Sequence, residues 1–176
     1  MKSLKKILLE LVPVFLGVIH SLFFNNINEN RIERKKIAGL LTKIELGTEK
    51  NIRNLNMQLQ QNQKVVDSLT YYQADTSLRI GDILTKAGGV RYIQFDLAAW
   101  NVLKGSELLV DVDYDLASLL YLLNESITDA GTIPIPFKAS DQEAKEETIV
   151  DLSDYIGSIK HRIFLSEEIQ KLLRKR

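Results

Sequence analysis

The chain contains a long stretch in which nothing breaks an α-helix. No proline occurs between residues 28 and 72, and the only glycines there are Gly39 and Gly47. Two sets of residues recur every seven positions within it, and the second set follows members of the first by four residues. A mean period of 3.5 residues places both sets on one stripe of a helix. We call this stripe the seam, and its members are Leu41, Thr48, Ile52, Leu55, Leu59, Asn62, Val66 and Leu69.

The seam predicts a long helix that packs along one side, either in a bundle formed by this chain or against a second copy. Polar residues at such positions, here Thr48 and Asn62, fix the register of packed helices at some cost in stability. Only 9 glycines and 3 prolines occur in 176 residues, which disfavours β folds that need many turns. We therefore predict an all-α fold, in which the long helix belongs to an elongated helical bundle or coiled coil.

The composition excludes several classes of function. Lys and Arg total 23 and Asp and Glu total 23, so no overall positive field favours a nucleic acid. The absence of cysteine excludes a disulfide framework, a cysteine-ligated zinc site and a thiol nucleophile, and there are only two histidines. We predict no cofactor, no metal and no catalytic residue, and no known small-molecule ligand is indicated. The protein is therefore predicted not to be an enzyme.

An apolar run at the N-terminus predicts a membrane anchor. Residues 7–24 follow a basic N-terminus and, at about 1.5 Å per residue, span about 27 Å of a hydrocarbon core about 30 Å thick. A cleaved signal peptide and a buried core helix are the alternatives. The run ends in Phe23-Phe24-Asn25-Asn26, which is a poor cleavage site. We predict a cytoplasmic N-terminus at residues 1–6, a transmembrane helix at 7–24 and a helical extracytoplasmic domain at 25–176.

Basic residues flank this run on both sides. The short, basic N-terminus is hard to translocate, which favours a bacterial cytoplasmic (inner) membrane protein with a periplasmic body.

The charge is unevenly distributed along the rest of the chain. Residues 74–160 carry seven basic and fifteen acidic side chains, whereas residues 161–176 carry five basic and two acidic side chains. We expect the basic ends to lie at the lipid surface, although the basic C-terminus also complements a helix dipole. The predicted membrane-interface residues are Lys2, Lys5, Lys6, Arg31, Arg34, Lys35, Lys36, Arg174, Lys175 and Arg176.

Two polar side chains fall within the apolar run. Glu10 follows Lys6 by four residues, so both lie on one helix face and Glu10 can reach the interface. A carboxylate on a proton path is the alternative interpretation of Glu10. His20 lies near the other end of the run and is predicted to be interfacial.

Shorter helices are predicted to complete the body. One begins at residues 74–76 and ends at Ala87 before Gly88-Gly89, and a second, containing Trp100, is capped by Asp96. A third covers residues 116–123. The connector 132–137 cannot be helical because Pro134 and Pro136 hold the preceding residues extended. Ser140 and Glu143 then form a capping box for a last helix that runs to about residue 173.

Three alternating aspartates, Asp111, Asp113 and Asp115, resemble the start of a calcium loop. That loop requires Gly at its sixth position and Glu at its twelfth, where this chain has Leu116 and Leu122. Asp113 or Asp115 is instead predicted to cap the helix that follows. Calcium binding stays open as the alternative.

Two segments resemble a large family of short, uncharacterised bacterial membrane-anchored proteins. Residues 17–31 contain Gly-Val-Ile and then Asn-Asn-Ile-Asn-Glu-Asn-Arg, similar to the family's Gly-Ile-rich span and Asn-Asn-Trp-Asn-Glu motif, with Ile27 in place of Trp. The Trp-x-x-Leu-Lys-x-Ser pattern from Trp100 to Ser106 is similar to the family's central helix and turn, with Glu107 where Gly often follows. The resemblance implies a single N-terminal anchor and a helical extracytoplasmic body, and it carries no activity.

These observations favour a non-enzymatic, membrane-anchored accessory or scaffold subunit of a bacterial envelope complex. Its expected partners are the membrane and another protein, or further copies of the chain. The alternative is an extracytoplasmic helical bundle that senses a ligand but lacks an output domain of its own.

Overall fold

All the regular secondary structure is helical in the part of the chain that the structure, a computed structural model, describes. That part comprises the backbone of residues 2–128 and 133–176 and the side chains of residues 14–128 and 133–176. The helices in it are α1 (Lys2–Tyr71), α2 (Ile80–Ala87), α3 (Ala98–Lys104), a 3-10 helix (Glu107–Asp111), α4 (Tyr114–Thr128) and α5 (Gln142–Arg174). The predicted all-α fold is confirmed for these residues, which contain no strand.

The chain divides into two compact units. The first is Met1–Leu40 and the second is Leu41–Arg176. In the first unit, the side chains of residues 14–36 are all exposed. No helix among the described residues is both long enough and apolar enough to cross a membrane. The side chains of residues 7–13, which form the first part of the predicted transmembrane run, lie outside the described residues, as do Lys2, Lys5, Lys6 and Glu10.

The core of the second unit lies against the seam of α1. Thr48, Leu55, Asn62, Val66 and Leu69 are buried, and the other three seam residues are half-buried. The chain's own helices provide the cover for this side of α1. In one apolar cluster, residues of α2 and α5 cover Val65, Val66 and Leu69 of α1. The covering residues are Ile80, Ile83, Leu84, Leu152 and Ile156.

One of the two predicted sets of seam residues is displaced by one position. The buried residues that alternate with Thr48, Leu55, Asn62 and Leu69 are Ile44, Asn51, Gln58 and Val65. They replace Ile52 and Leu59, which are half-buried. The prediction selected apolar side chains at this period, and two of the four inward positions hold amides. The reason for those amides lies in what they bind, described below.

Helix α5 runs antiparallel to α1. Its beginning lies at the end of α1, where Lys145 Nζ donates to the carbonyl oxygens of Tyr72 (3.1 Å) and Asp75 (2.5 Å). Its end lies farther back, where Gln170 Nε2 donates to Glu49 Oε1 (3.2 Å). Lys145 is fully buried and supplies positive charge to carbonyl groups at the C-terminus of α1.

Several helix starts differ from the predictions. Helix α2 begins at Ile80 rather than at residues 74–76, because Asp75 forms a turn in which its carboxylate accepts from the Ser77 amide and hydroxyl. Asp141, not Ser140, caps α5, accepting from Ala144 N at 2.8 Å. Asp96 does not cap α3, whose N-cap is Leu97.

Other local predictions are confirmed. Gly88 and Gly89 end α2 with φ angles of 91° and 75°, a conformation that favours glycine. Asp113 caps α4 by accepting from Leu116 N at 3.1 Å. Trp100 is 1 % exposed and lies in the core. The described part of the connector, residues 133–137, is not helical.

Candidate functional site

Four amide side chains of α1 bind the backbone of the segment that joins α2 to α3. Asn62 Oδ1 accepts from Arg91 N (2.8 Å), and Asn62 Nδ2 donates to Arg91 O (3.1 Å). Asn51 makes the same pair of bonds to Asp96, at 2.9 Å from its N and 3.2 Å to its O. The amide thus replaces the neighbouring strand that would pair with these backbone groups in a sheet.

The other two amides only donate, to carbonyl groups of the same segment. Gln58 Nε2 donates to Arg91 O at 2.9 Å, and Gln61 Nε2 donates to Ala87 O (2.8 Å) and Gly89 O (2.9 Å). We call Asn51, Gln58, Gln61 and Asn62 the amide cluster. They form a ladder along α1 on which the segment 87–96 is held.

The ladder keeps this segment extended and antiparallel to α1. Arg91 is held level with a point between Gln58 and Asn62, and Asp96 is held level with Asn51. These points lie about nine residues apart on α1, or about 13 Å at 1.5 Å per residue. Five residues cover that distance, at about 2.7 Å each, close to the extended limit of about 3.3 Å.

A polar network links the cluster to α5. Gln58 Nε2 also donates to the Tyr155 hydroxyl at 2.7 Å, and Arg162 donates to Ser126 O through Nε (3.0 Å) and an Nη (2.7 Å). Burial raises the pKa of the Tyr155 hydroxyl and lowers the pKa of the Arg162 guanidinium. Arg162 thus binds the end of α4 to α5, and Tyr155 binds the amide cluster to α5.

The predicted membrane-interface residues that the structure describes are exposed, at both Arg31–Lys36 and the C-terminus. Arg31, Arg34, Lys35 and Lys36 lie within two turns of α1 in the first unit. At the end of the chain, an Nη of Arg174 donates to Glu49 Oε1 at 3.2 Å, and Lys175 and Arg176 are exposed. These positions are compatible with contact to a charged surface.

The acidic loop before α4 serves as a helix cap. Asp111, Asp113 and Asp115 are exposed, and Asp113 is the cap of α4. Among the described side chains, no group of three or more His, Cys, Asp or Glu residues is arranged to hold a metal ion. The two histidines, His20 and His161, are both exposed.

Sequence analysis identified Asn62 but not Asn51, Gln58 or Gln61. The signal that was available is the seven-residue spacing of Asn51 and Gln58, which coincides with the period of the seam. Amides repeated at a buried helical period indicate that the helix binds polar groups along its inner side.

Comparisons with protein-family models, with curated proteins and with solved structures gave no match for this chain.

Proposed function

We propose that this protein is a non-enzymatic accessory or scaffold subunit of a bacterial envelope complex, held by a single N-terminal helix in the cytoplasmic membrane with its body in the periplasm. The observation that supports this proposal most is the exposure of large apolar side chains on every face of residues 14–24. In water such a helix would associate or precipitate, because its exposed surface is mainly apolar.

The described part of that run, residues 14–24, is mainly apolar, with His20 and Ser21 as its polar residues. The exposed fractions of its large apolar side chains lie between 51 % and 71 %. These residues are Val14, Phe15, Leu16, Val18, Ile19, Leu22, Phe23 and Phe24. Together with residues 7–13, which the sequence shows to be mainly apolar, they complete the predicted span of residues 7–24.

The basic segment that follows the apolar run supports an interfacial position. Arg31, Arg34, Lys35 and Lys36 are exposed, and each basic side chain near anionic headgroups contributes about 1 kcal/mol. The resemblance of residues 17–31 to membrane-anchored bacterial proteins is part of the same proposal.

The second unit supports a role in binding another protein. Its buried polar groups hold its own backbone, and its acidic surface is available to a partner. We propose that this surface, and not a catalytic centre, is what the anchor presents to the rest of a complex.

The anchor can be tested by placing charge in the apolar run. Replacement of Leu16 and Phe23 by arginine should release the full-length protein from bacterial membranes washed with alkaline carbonate. Leu16→Arg, near the centre of the span, costs about 2.5 to 3.5 kcal/mol, and Phe23→Arg, near its end, costs less. The matched control is Val150→Arg/Phe164→Arg, which changes two similarly exposed apolar residues of α5, at 58 % and 55 %.

The control variant should stay in the membrane pellet with the wild type. If both variants or neither leave the membrane, the anchor is wrong.

Gentle detergent extraction at native expression then tests the accessory role. A membrane protein that co-purifies in a fixed ratio supports this role, and recovery of a solitary monomer contradicts it.

A further inference from the structure

Two grooves flank the proline-containing connector in the second unit. The first is largely apolar, has a volume of about 470 Å³, and is lined by residues of α2, of the segment 89–92 and of the connector. The second has a volume of about 410 Å³ and lies between the connector and α5. Ile135 lines both. The two grooves therefore border one another along the connector.

The connector that separates the grooves is fixed by backbone bonds. Gly81 N donates to Phe137 O (2.9 Å) and Ile80 N donates to Ala139 O (2.8 Å), which ties it to the start of α2. A side chain at Gly81 would bring its Cβ within 2.9 Å of Phe137 O, so glycine permits this close approach. The grooves thus have a rigid wall, which lowers the entropy cost of binding.

Large aromatic side chains that line the first groove are exposed to solvent. Phe137 is 58 % exposed and Tyr92 is 46 % exposed, although both line it. The groove has room for one or two large side chains. It would accept an apolar side chain such as Leu or Phe from another molecule.

Free backbone groups lie beside this groove. Within residues 91–96, the amide cluster binds only Arg91 and Asp96. Between these points, the backbone N–H and C=O groups of residues 92–95 form no hydrogen bond with any described residue. Unpaired groups in an extended segment can pair with an added strand from another chain.

The second groove is acidic. Glu147 and Asp151 line it one helical turn apart, and neither carboxylate forms an ion pair or hydrogen bond with a described residue. The exposed charged side chains of α5 and its cap from residue 141 to residue 154 are all carboxylates, because the single lysine there, Lys145, is buried. The groove therefore complements a positively charged side chain.

We propose that these two grooves bind an extended segment of a partner protein that carries Lys or Arg next to a large apolar residue. The basic side chain lies between Glu147 and Asp151, the apolar side chain lies against Tyr92 and Phe137, and the backbone of the segment pairs with residues 92–95. This inference rests on the proposed accessory function and names the chemistry of its partner.

Selection from a random peptide library tests this specificity. A phage-displayed library is selected on the full-length wild-type chain in detergent micelles, after depletion on empty micelles. Selected peptides are then measured against Glu147→Lys/Asp151→Lys. The matched control is Glu143→Lys/Asp154→Lys, which makes the same charge change at two exposed residues of α5 that do not line the groove.

The selection should enrich peptides with Lys or Arg beside a large apolar residue. Charge reversal in the groove should weaken their binding by at least about tenfold, since like charges oppose each other there, and the control should weaken it by less than about threefold. Thr85→Trp, which fills the apolar groove, should also weaken binding.

Three results overturn the inference. These are no enriched peptide, enriched peptides without basic residues, and equal loss of binding in the groove and control variants. Enrichment of peptides that match residues 31–37 of this chain would show that the occupant is a second copy. A partner that co-purifies with the groove variant as well as with the wild type would leave the accessory function standing and remove only this site.

Discussion

In this protein, asparagine and glutamine side chains bind the backbone of an extended segment, as a neighbouring strand does in a sheet. A backbone segment that leaves a helix and stays extended has N–H and C=O groups that must be satisfied when buried. Asn62 satisfies both groups of Arg91, and Asn51 satisfies both groups of Asp96. One side chain with a donor and an acceptor can bind one residue in this way.

Removal of one such amide should destabilise the second unit. We expect Asn62→Ala to lower the free energy of unfolding by about 1 to 3 kcal/mol, because Arg91 N–H, in a part-buried position, loses its bond to the fully buried Asn62 side chain. Urea denaturation of the full chain in detergent, followed by circular dichroism, measures the change.

The control for this variant is Asn56→Ala. Asn56 is exposed on the same helix, and it donates only to Ile52 O within α1. Its replacement should leave stability unchanged or raise it slightly, since alanine is the better helix former. Equal destabilisation by both substitutions would show that the amide cluster has no special role.

Tyr155 should make stability depend on alkaline pH. Its folded pKa is raised by burial, so the folded state holds this proton more firmly than the unfolded chain does. The stabilisation that results from this difference is complete below about pH 10, the pKa of tyrosine in the unfolded chain. It is lost as the pH rises through the pKa of Tyr155 in the folded state.

We therefore expect Tyr155→Phe to flatten the fall in stability above about pH 10 while lowering stability at neutral pH, through the lost bond from Gln58. Urea titrations at a series of alkaline pH values measure this slope. Tyr114→Phe, at a ring that is 81 % exposed, is the control and should leave the profile as in the wild type. A Tyr155→Phe profile as steep as that of the wild type would contradict the assignment.

At the level of elements, helices were predictable and several helix starts were not. The proline-free seam predicted α1, and the Gly88-Gly89 pair predicted the end of α2, where both glycines have positive φ. Both signals are local in sequence. The predicted cap of α3 was wrong because the Asp96 carboxylate pairs with Lys50 Nζ at 3.4 Å, while Asn51, 45 residues away in sequence, binds the Asp96 backbone. These contacts come from tertiary structure, and a local capping preference does not reveal them.

Two glycines should respond oppositely to the same substitution. Gly81→Ala places a Cβ 2.9 Å from Phe137 O, so the connector must move, and we expect a loss of about 1 to 3 kcal/mol. Gly157→Ala meets nothing within 4 Å inside α5 and should gain about 0.5 to 1 kcal/mol. Urea midpoints of the two variants measure the difference, and similar values would contradict the packing described at Gly81.

At the level of the whole molecule, the chain has zero net charge but a strongly uneven distribution. The predicted periplasmic position of the body can be tested directly, since the chain has no cysteine. Ser158→Cys, at an exposed position of α5, should be labelled by a membrane-impermeant maleimide in intact cells with a permeabilised outer membrane.

The buried Thr148→Cys serves as the control and should stay unlabelled. Labelling of Ser158→Cys only after lysis would place the body in the cytoplasm and contradict the prediction.

The way in which the segment after α2 is held determines which changes of sequence it can tolerate. Its bonds to Asn51 and Asn62 involve only backbone atoms, so the identity of residues 91 and 96 is of little consequence to them. Their separation is fixed, however, because the two asparagines are eleven positions apart on a helix that cannot stretch. This part of the chain should therefore accept many substitutions but neither an insertion nor a deletion between residues 91 and 96.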